Sequence, residues 1–323
     1  LQSSSANAAT SGPTTELKHP WWGYFFIASA SLCWGGAATF GKAIFNGSLF
    51  AGHPLISPMV LTQMRTSFAV LVLAPFLLLR FGKTIFKIGR HDLTLCFLVG
   101  TLGVACSNYF YYLAVQKATV SLAITVQYTA PVWVLLYMVL RGREKPTWQK
   151  TVATVVAMAG TALAIGVFHS HAKISAVAVG AALLASFGYA FYNVAGQGLV
   201  TRNHQLTIMF YVLSSSAVLW LVVNPPWRLA AQHFSSGQWK FFFAFACFSM
   251  VLPYMLYFSG FRYLDPTRAV ITSCLEPVFA ILFAVIFVHE RLGALQVVGI
   301  LAVLAATVMA QIKPKNSGRV ELA

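Results

Sequence analysis

LDPTRAVITSCLEPVFAILFAVIFVHERLGALQVVGILAVLAATVMA, residues 264–310, contains two apolar runs, near 267–288 and 293–312, joined by the short charged link HERLG. A hydrocarbon core of about 30 Å is crossed by roughly 20 helical residues, so each run is long enough to span a bilayer. The first carries one carboxylate well inside it, Glu276, about ten residues from its start, where a buried charge is expensive. Pro277 follows and, having no N–H, removes the hydrogen bond that the Ser273 carbonyl would otherwise accept. The segment therefore reads as two transmembrane helices, the first interrupted at mid-depth beside an acid. In the second, Ala302, Ala306 and Ala310 recur at a four-residue spacing that lets helices approach closely, as do Gly160 and Ala164.

Upstream the same pattern repeats. Apolar runs near 21–45, 56–79, 92–115, 119–140, 147–168, 174–200, 205–223 and 239–261 bring the expected number of spans to ten. The 323 residues are 58% apolar and 9% charged, with a mean hydropathy of +0.73. So few charges cannot cover the surface of a soluble globule, so lipid is the solvent for most of it. A net charge of +15 does not indicate nucleic acid, because Lys and Arg form no basic stripe interleaved with aromatics. They cluster between the spans instead, 15 on one side and five on the other, and only Lys42 and Arg65 lie inside a span. The positive-inside rule then puts both termini in the cytoplasm and the protein in the cell (inner) membrane. Residues 1–19 are polar enough for a disordered tail, and 314–323 form a C-terminal tail. The first run, Trp21 to Phe45, is too long for a signal-peptide h-region and is expected to stay as a span.

A shift of 146 residues brings Pro131 onto Pro277, Glu144 onto Glu290 and Tyr111 onto Tyr257. Any two membrane helices share Leu and Val, so the aligned prolines and acids carry the weight. LCWGGAATFGK, residues 32–42, also pairs with FGYAFYNVAGQ, residues 187–197, setting Trp34 against Tyr189. The repeat units run over 20–170 and 171–313. Five spans is an odd number, so the second unit must be upside down relative to the first. The expected fold is an all-α polytopic membrane protein with ten transmembrane helices in two inverted five-helix repeats, an arrangement suited to alternating access.

Interrupted helices at matching positions point to a binding level. Pro131 frees the Gln127 carbonyl as Pro277 frees that of Ser273. Glu276 is the candidate coupling or amine-binding carboxylate, and Arg65 the candidate for a substrate carboxylate. Lys42 is either a charge partner for Glu276 or a side chain that snorkels to the headgroups. Trp34, Tyr109, Tyr112, Gln127, Trp133, Tyr189, Asn193, Tyr254 and Tyr257 stand near mid-depth, where rings can stack and amides orient a ligand. Helix packing is the competing account for each aromatic. The expected substrate-binding set is Trp34, Arg65, Tyr112, Gln127, Tyr189, Asn193, Tyr257, Ser273 and Glu276, with Pro131 and Pro277 as kinks.

Other chemistries find little support. Gly82-Lys83-Thr84 ends like a phosphate loop, but Leu77 stands where its first glycine belongs, and His289-Glu290 has Gly293 in place of a second zinc-binding His. The five cysteines lie inside apolar runs without C-x-x-C spacing. No metal and no cofactor is expected.

These features resemble the EamA family of the drug/metabolite transporter superfamily. The likeness extends from about residue 21 to 312. It is strongest in residues 264–310, with their span-embedded Glu-Pro and Glu-Arg link, and includes the opening Trp-Gly helix and Arg65 in span two. It implies ten helices, a central cavity between two halves, and export or uptake of metabolites such as amino acids. Ala130 stands where the repeat would give Glu276 a counterpart, so the site is electrically asymmetric; basic clusters of the sugar-phosphate translocators are not evident. The expected function is a secondary carrier of amino acids or related amphipathic compounds, with a nucleoside-like or drug-like cargo as the alternative. A passive channel or an intramembrane enzyme is the competing class, and the enzyme lacks a mid-span His. Expected partners are a small-molecule substrate and membrane lipid, with no nucleic acid; a homodimer is compatible with the sequence.

Overall fold

The computed structural model describes residues 20–45, 56–118, 120–144, 147–165, 175–288 and 293–311. The Lys42 side chain, Glu290, both tails and the unit boundary near 170 lie outside the described residues. No strand occurs among the described residues, which form a succession of helices. The long ones are α1 (Pro20–Phe45), α2 (Pro58–Phe81), α3 (Arg90–Lys117) and α4, made of Val120–Gln127 and Ala130–Leu140. They continue as α5 (Trp148–Ala164), α6 (Ala176–Val200), α7 (Gln205–Val223), α8 (Ser236–Gly260), α9, made of Pro266–Ser273 and Leu275–Val288, and α10 (Ala294–Gln311).

Local chemistry sets the ends. Ser57 and Ser175 accept from Val60 N and Ala178 N, Ser235 and Gln238 form a capping box, and Asp265 accepts from Arg268 N. α2 stops at Gly82, whose φ of +68° suits glycine. By length and hydropathy, α2, α3, α4, α6, α7, α8 and α9 can each cross a membrane, and α10 adds a shorter apolar stretch, Ala294–Ala310. Leu79, Leu140 and Val222 are 86, 74 and 73% exposed, an outward apolar surface that only lipid solvates cheaply. The chain is an integral membrane protein.

α1 packs on α8 and α9, and α6 packs on α3 and α4; α2 packs on α7 and α8, and α7 on α2 and α3. Adding or subtracting five from each helix number converts the first half of each statement into the second. Helix irregularities follow the same rule. α4 breaks at Tyr128–Thr129 just before Pro131, and α9 at Cys274 just before Pro277. α3 carries a π-helical segment at Val99–Ala105 and α8 one at Cys247–Val251, the kind of bulge often found at functional sites.

α5 and α10 pack against one another through the small residues noted above. A Cβ on Gly299 would lie 2.2 Å from the Ala164 nitrogen and 2.6 Å from the Gly160 carbonyl oxygen, so the backbones touch there. Gly299→Ala is expected to cost at least about 1–3 kcal/mol by overpacking. Its thermal midpoint in detergent should fall by about 3 °C or more. Gly180→Ala, with nothing within 4 Å of the added Cβ, should not lower it.

Candidate functional site

The breaks in α4 and α9 bring Gln127 and Glu276 to the wall of a cavity of about 60 Å³. Trp34 from α1, Arg65 from α2, Tyr112 from α3 and Tyr189 from α6 share that wall, together with Asn108, Tyr111 and Tyr254. Glu276 is ten residues into α9, so about 15 Å from its start at a rise of 1.5 Å per residue, half the thickness of a hydrocarbon core.

Arg65 is 3% exposed and held by neutral partners. Its Nε donates to Ser249 Oγ at 2.8 Å and Nη2 to the Ser249 carbonyl at 2.9 Å, while Nη1 donates to Tyr112 Oη at 2.8 Å and Asn108 Oδ1 at 3.2 Å. The rings of Tyr112 and Phe245 stand 5.1 and 5.4 Å from the guanidinium carbon, favourable cation–π distances. The Ser249 carbonyl is free to accept because the residue four positions on is Pro253, which has no N–H. It also receives the Trp34 indole at 3.2 Å. No carboxylate is among Arg65's described partners, although Glu276 lines the same cavity.

Glu276 Oε2 lies 2.8 Å from the Tyr128 hydroxyl, which is also 2.8 Å from the Ser273 carbonyl oxygen. The carbonyl that Pro277 deprives of its helical donor is thereby satisfied. A phenol has one proton, and here it has two acceptors. If it donates to Ser273, the hydrogen bond to Glu276 is complete only when the carboxyl carries a proton and donates to the phenol oxygen. Gly35 lets α1 reach this level: a Cβ there would be 2.7 Å from the Glu276 carbonyl oxygen.

Asn193, Tyr257 and Ser273 stand behind the cavity rather than on its wall. Tyr189 Oη donates to Tyr257 Oη at 3.0 Å, Tyr257 Oη to Asn193 Oδ1 at 2.8 Å, and Asn193 Nδ2 to the Tyr189 carbonyl at 2.8 Å. Tyr192, Phe258 and Phe261 extend this layer as buried rings in mutual contact. Ser273 Oγ donates to the Val270 carbonyl. Trp133 and Tyr109 point elsewhere, Trp133 onto Phe187 with ring centroids 4.5 Å apart and Tyr109 onto Trp220 at 5.4 Å.

Asn108, Tyr128 and Ser249 are site residues that the sequence reading did not single out. Asn108 Nδ2 donates to Tyr254 Oη at 3.1 Å, and these two residues are 146 apart, the repeat offset. Contact between repeat equivalents is what an axis relating the two halves produces. That coincidence and Pro253 were the available signals.

Beyond the aromatic layer, at the end rich in Lys and Arg, two ion clusters join distant segments. Lys150 Nζ reaches Glu144 and, at 3.2 Å, Asp265, which also faces Arg268 Nε at 3.4 Å. Arg202 Nη2 and Asn203 Nδ2 donate to Asp92 at 2.8 and 2.7 Å. Burial, followed by the neighbouring Asp265, holds the Glu144 carboxyl above its ordinary value against the pull of Lys150.

A helical membrane domain with a small polar cavity at mid-depth between interrupted helices is the architecture of a membrane transport protein. The chain belongs to the EamA-like transporter family, whose model matches residues 21–166 and 176–311. It is 22% identical over 306 residues to the uncharacterized inner membrane transporter YicL of Salmonella typhimurium, covering 92% of this chain and 97% of that protein. Identity to the threonine/homoserine exporter RhtA of Escherichia coli K12 is 26% over 302 residues, 91% of this chain and 92% of that one. A crystal structure with 16% identity superposes with a TM-score of 0.68 over 93% of this chain and 97% of its own, and so shares the fold. These relatives put the protein among drug/metabolite transporters that move small metabolites, rather than among enzymes.

Proposed function

We propose that the protein is a secondary carrier of amino acids or related amphipathic metabolites, working by alternating access around the cavity that Arg65 and Glu276 share. In this reading α1, α5 and α10 also cross the membrane, giving ten spans, and residues 20–170 and 171–313 are inverted halves. The reciprocal packing, paired breaks and paired π segments support that symmetry. Both termini are cytoplasmic and the membrane is the inner one.

The observation that carries the proposal is one cation and one acid on a single cavity wall, with no ion pair between them among the described residues. Each is held by neutral hydrogen bonds, so a zwitterion can engage both without first breaking a salt bridge. A cavity of about 60 Å³ is small beside the ~150 Å³ that admits benzene. The site therefore has to widen to take an amino acid, and the aromatic layer and ion clusters seal it on the cytoplasmic side. A named relative exports threonine and homoserine. Trp34, Tyr111, Tyr112, Tyr189 and Tyr254 on the wall favour a second reading, a nucleoside-like or drug-like ring.

A thermal-shift screen of purified protein against threonine, homoserine, other amino acids, nucleosides and amphipathic amines separates the two. A ligand at 100 times its Kd adds about 2.7 kcal/mol of stability, and an amino acid is expected to do so. Stabilisation by nucleosides or amines alone would sink the zwitterion reading.

The Glu144–Lys150–Asp265 cluster holds the cytoplasmic end closed. Lys150→Met leaves two carboxylates facing each other and is expected to add a longer component to the distance between spin labels at residues 142 and 262. Because the closed form raises the Glu144 pKa, it binds the proton more strongly than the open form. The closed population is then greatest at low pH and lost as pH rises through the raised value. The longer component should thus be larger at alkaline than at acidic pH; a distribution indifferent to both substitution and pH would show that the cluster is no latch.

A further inference from the structure

A second cavity, of about 620 Å³, opens between the start of α3, the second half of α4 and α6. Its walls are Leu95, Trp133, Leu136, Phe187, Phe191 and their apolar neighbours, and no acid is among its described lining residues. Phe187 and Leu136 are 48 and 47% exposed, so the groove faces outward. Trp133 packed on Phe187, with Trp133 Nε1 donating to Thr129 Oγ1 at 3.3 Å and Thr129 Oγ1 lying 2.8 Å from Ser186 Oγ, closes its deep end toward the central cavity.

The opposite end is cationic. His91, Arg143 and Arg202 line the mouth, and Arg141 lies close by, its guanidinium 6.0 Å from the ring of the groove residue Tyr137. Asp92 takes one nitrogen of Arg202, whose side chain remains 52% exposed, and no described carboxylate pairs with Arg143. From Trp133 to the end of α4 at Leu140 is seven residues, about 10 Å along the helix, and Arg143 follows in the turn that caps it, its N–H donating to the Met138 carbonyl. Apolar walls that run along the helix and end at two guanidinium groups match an acyl chain ending in a phosphate.

We infer that the groove between α3, α4 and α6 is a binding site for an acidic phospholipid, one acyl chain lying along Trp133, Leu136 and Phe191 and the phosphate held by Arg143 and Arg202. The inference does not rest on the carrier reading, since it uses neither Arg65 nor Glu276. A zwitterionic lipid offers the same chain but a headgroup whose ammonium opposes the arginines, and free phosphate offers the anion without the chain.

Native mass spectrometry of the full chain released from micelles containing equal dioleoylphosphatidylglycerol and dioleoylphosphatidylcholine tests this. The expected result is one retained phosphatidylglycerol, favoured about fivefold or more over phosphatidylcholine. Arg143→Gln should remove most of that preference. Gly198→Trp, at a groove glycine whose added Cβ meets nothing within 4 Å, should fill the groove and lower retention of both lipids. Millimolar inorganic phosphate should not displace the lipid. Equal retention of the two lipids, an Arg143→Gln preference equal to that of the parent, or displacement by phosphate alone would each overturn the proposal. Arg143 is exposed, so its substitution reads out even if the groove-filling variant fails to fold.

Discussion

Glu276→Gln is expected to lower transport by at least about tenfold while leaving the thermal midpoint nearly unchanged, the loss of roughly one charge-assisted contact in the transport cycle. The geometry explains why stability and activity should part. The substituted amide can donate its N–H to the Tyr128 oxygen while Tyr128 donates to the Ser273 carbonyl, reproducing the pattern of a protonated carboxyl. What the amide cannot do is release that proton or offer a negative charge to a substrate ammonium. The variant is therefore held in one protonation state. Proteoliposome uptake measured beside thermal unfolding checks this, and full transport by the glutamine variant would remove Glu276 from the mechanism. Tyr128→Phe should have the smaller effect, because the carboxylate remains.

Loss of Arg65 is expected to harm both stability and transport. Arg65→Ala removes the donor to Asn108 Oδ1 and Tyr112 Oη around an empty pocket and leaves the Ser249 carbonyl with Trp34 alone. Unmet buried acceptors cost about 1–3 kcal/mol each before relaxation, so a fall of several degrees in the midpoint is anticipated. Arg65→Lys keeps the charge but replaces a planar fork by a point charge with three donors. It should fold better than the alanine variant and separate structure from binding. For an amino-acid substrate its KM should rise about tenfold or more, whereas an amine analogue without the carboxylate should show little change. Equal effects on the two substrates would reduce Arg65 to a structural role.

Much of the fold was legible in the sequence because lipid imposes a length on every crossing helix. Each of the ten expected runs corresponds to a described helix, seven of them long and apolar enough to cross a membrane, and the two proline-marked breaks fall within a few residues of Pro131 and Pro277. Arg65, Glu276, Trp34, Tyr112, Gln127 and Tyr189, singled out from charge or mid-span position, line one cavity. Depth alone could not say which way a side chain faces. Asn193 and Tyr257 lie at a suitable level but turn into the packed layer, and Trp133 turns toward the lateral groove. Pro253 passed unnoticed because its repeat equivalent is not a proline, although it frees the carbonyl that seats Arg65. The Lys150–Asp265 contact, 115 residues apart, had no local pattern to reveal it.

The carrier account is tested most directly by counterflow. Proteoliposomes are preloaded with a high concentration of an unlabelled amino acid that stabilises the purified protein and diluted into a trace of the labelled form. Exchange through the cavity should give a transient overshoot of label that saturates, is competed by the unlabelled amino acid, and is lost in Arg65→Ala. Linear, non-saturating entry would indicate a channel, and the absence of any overshoot with every amino acid tested would contradict exchange through the Arg65–Glu276 cavity.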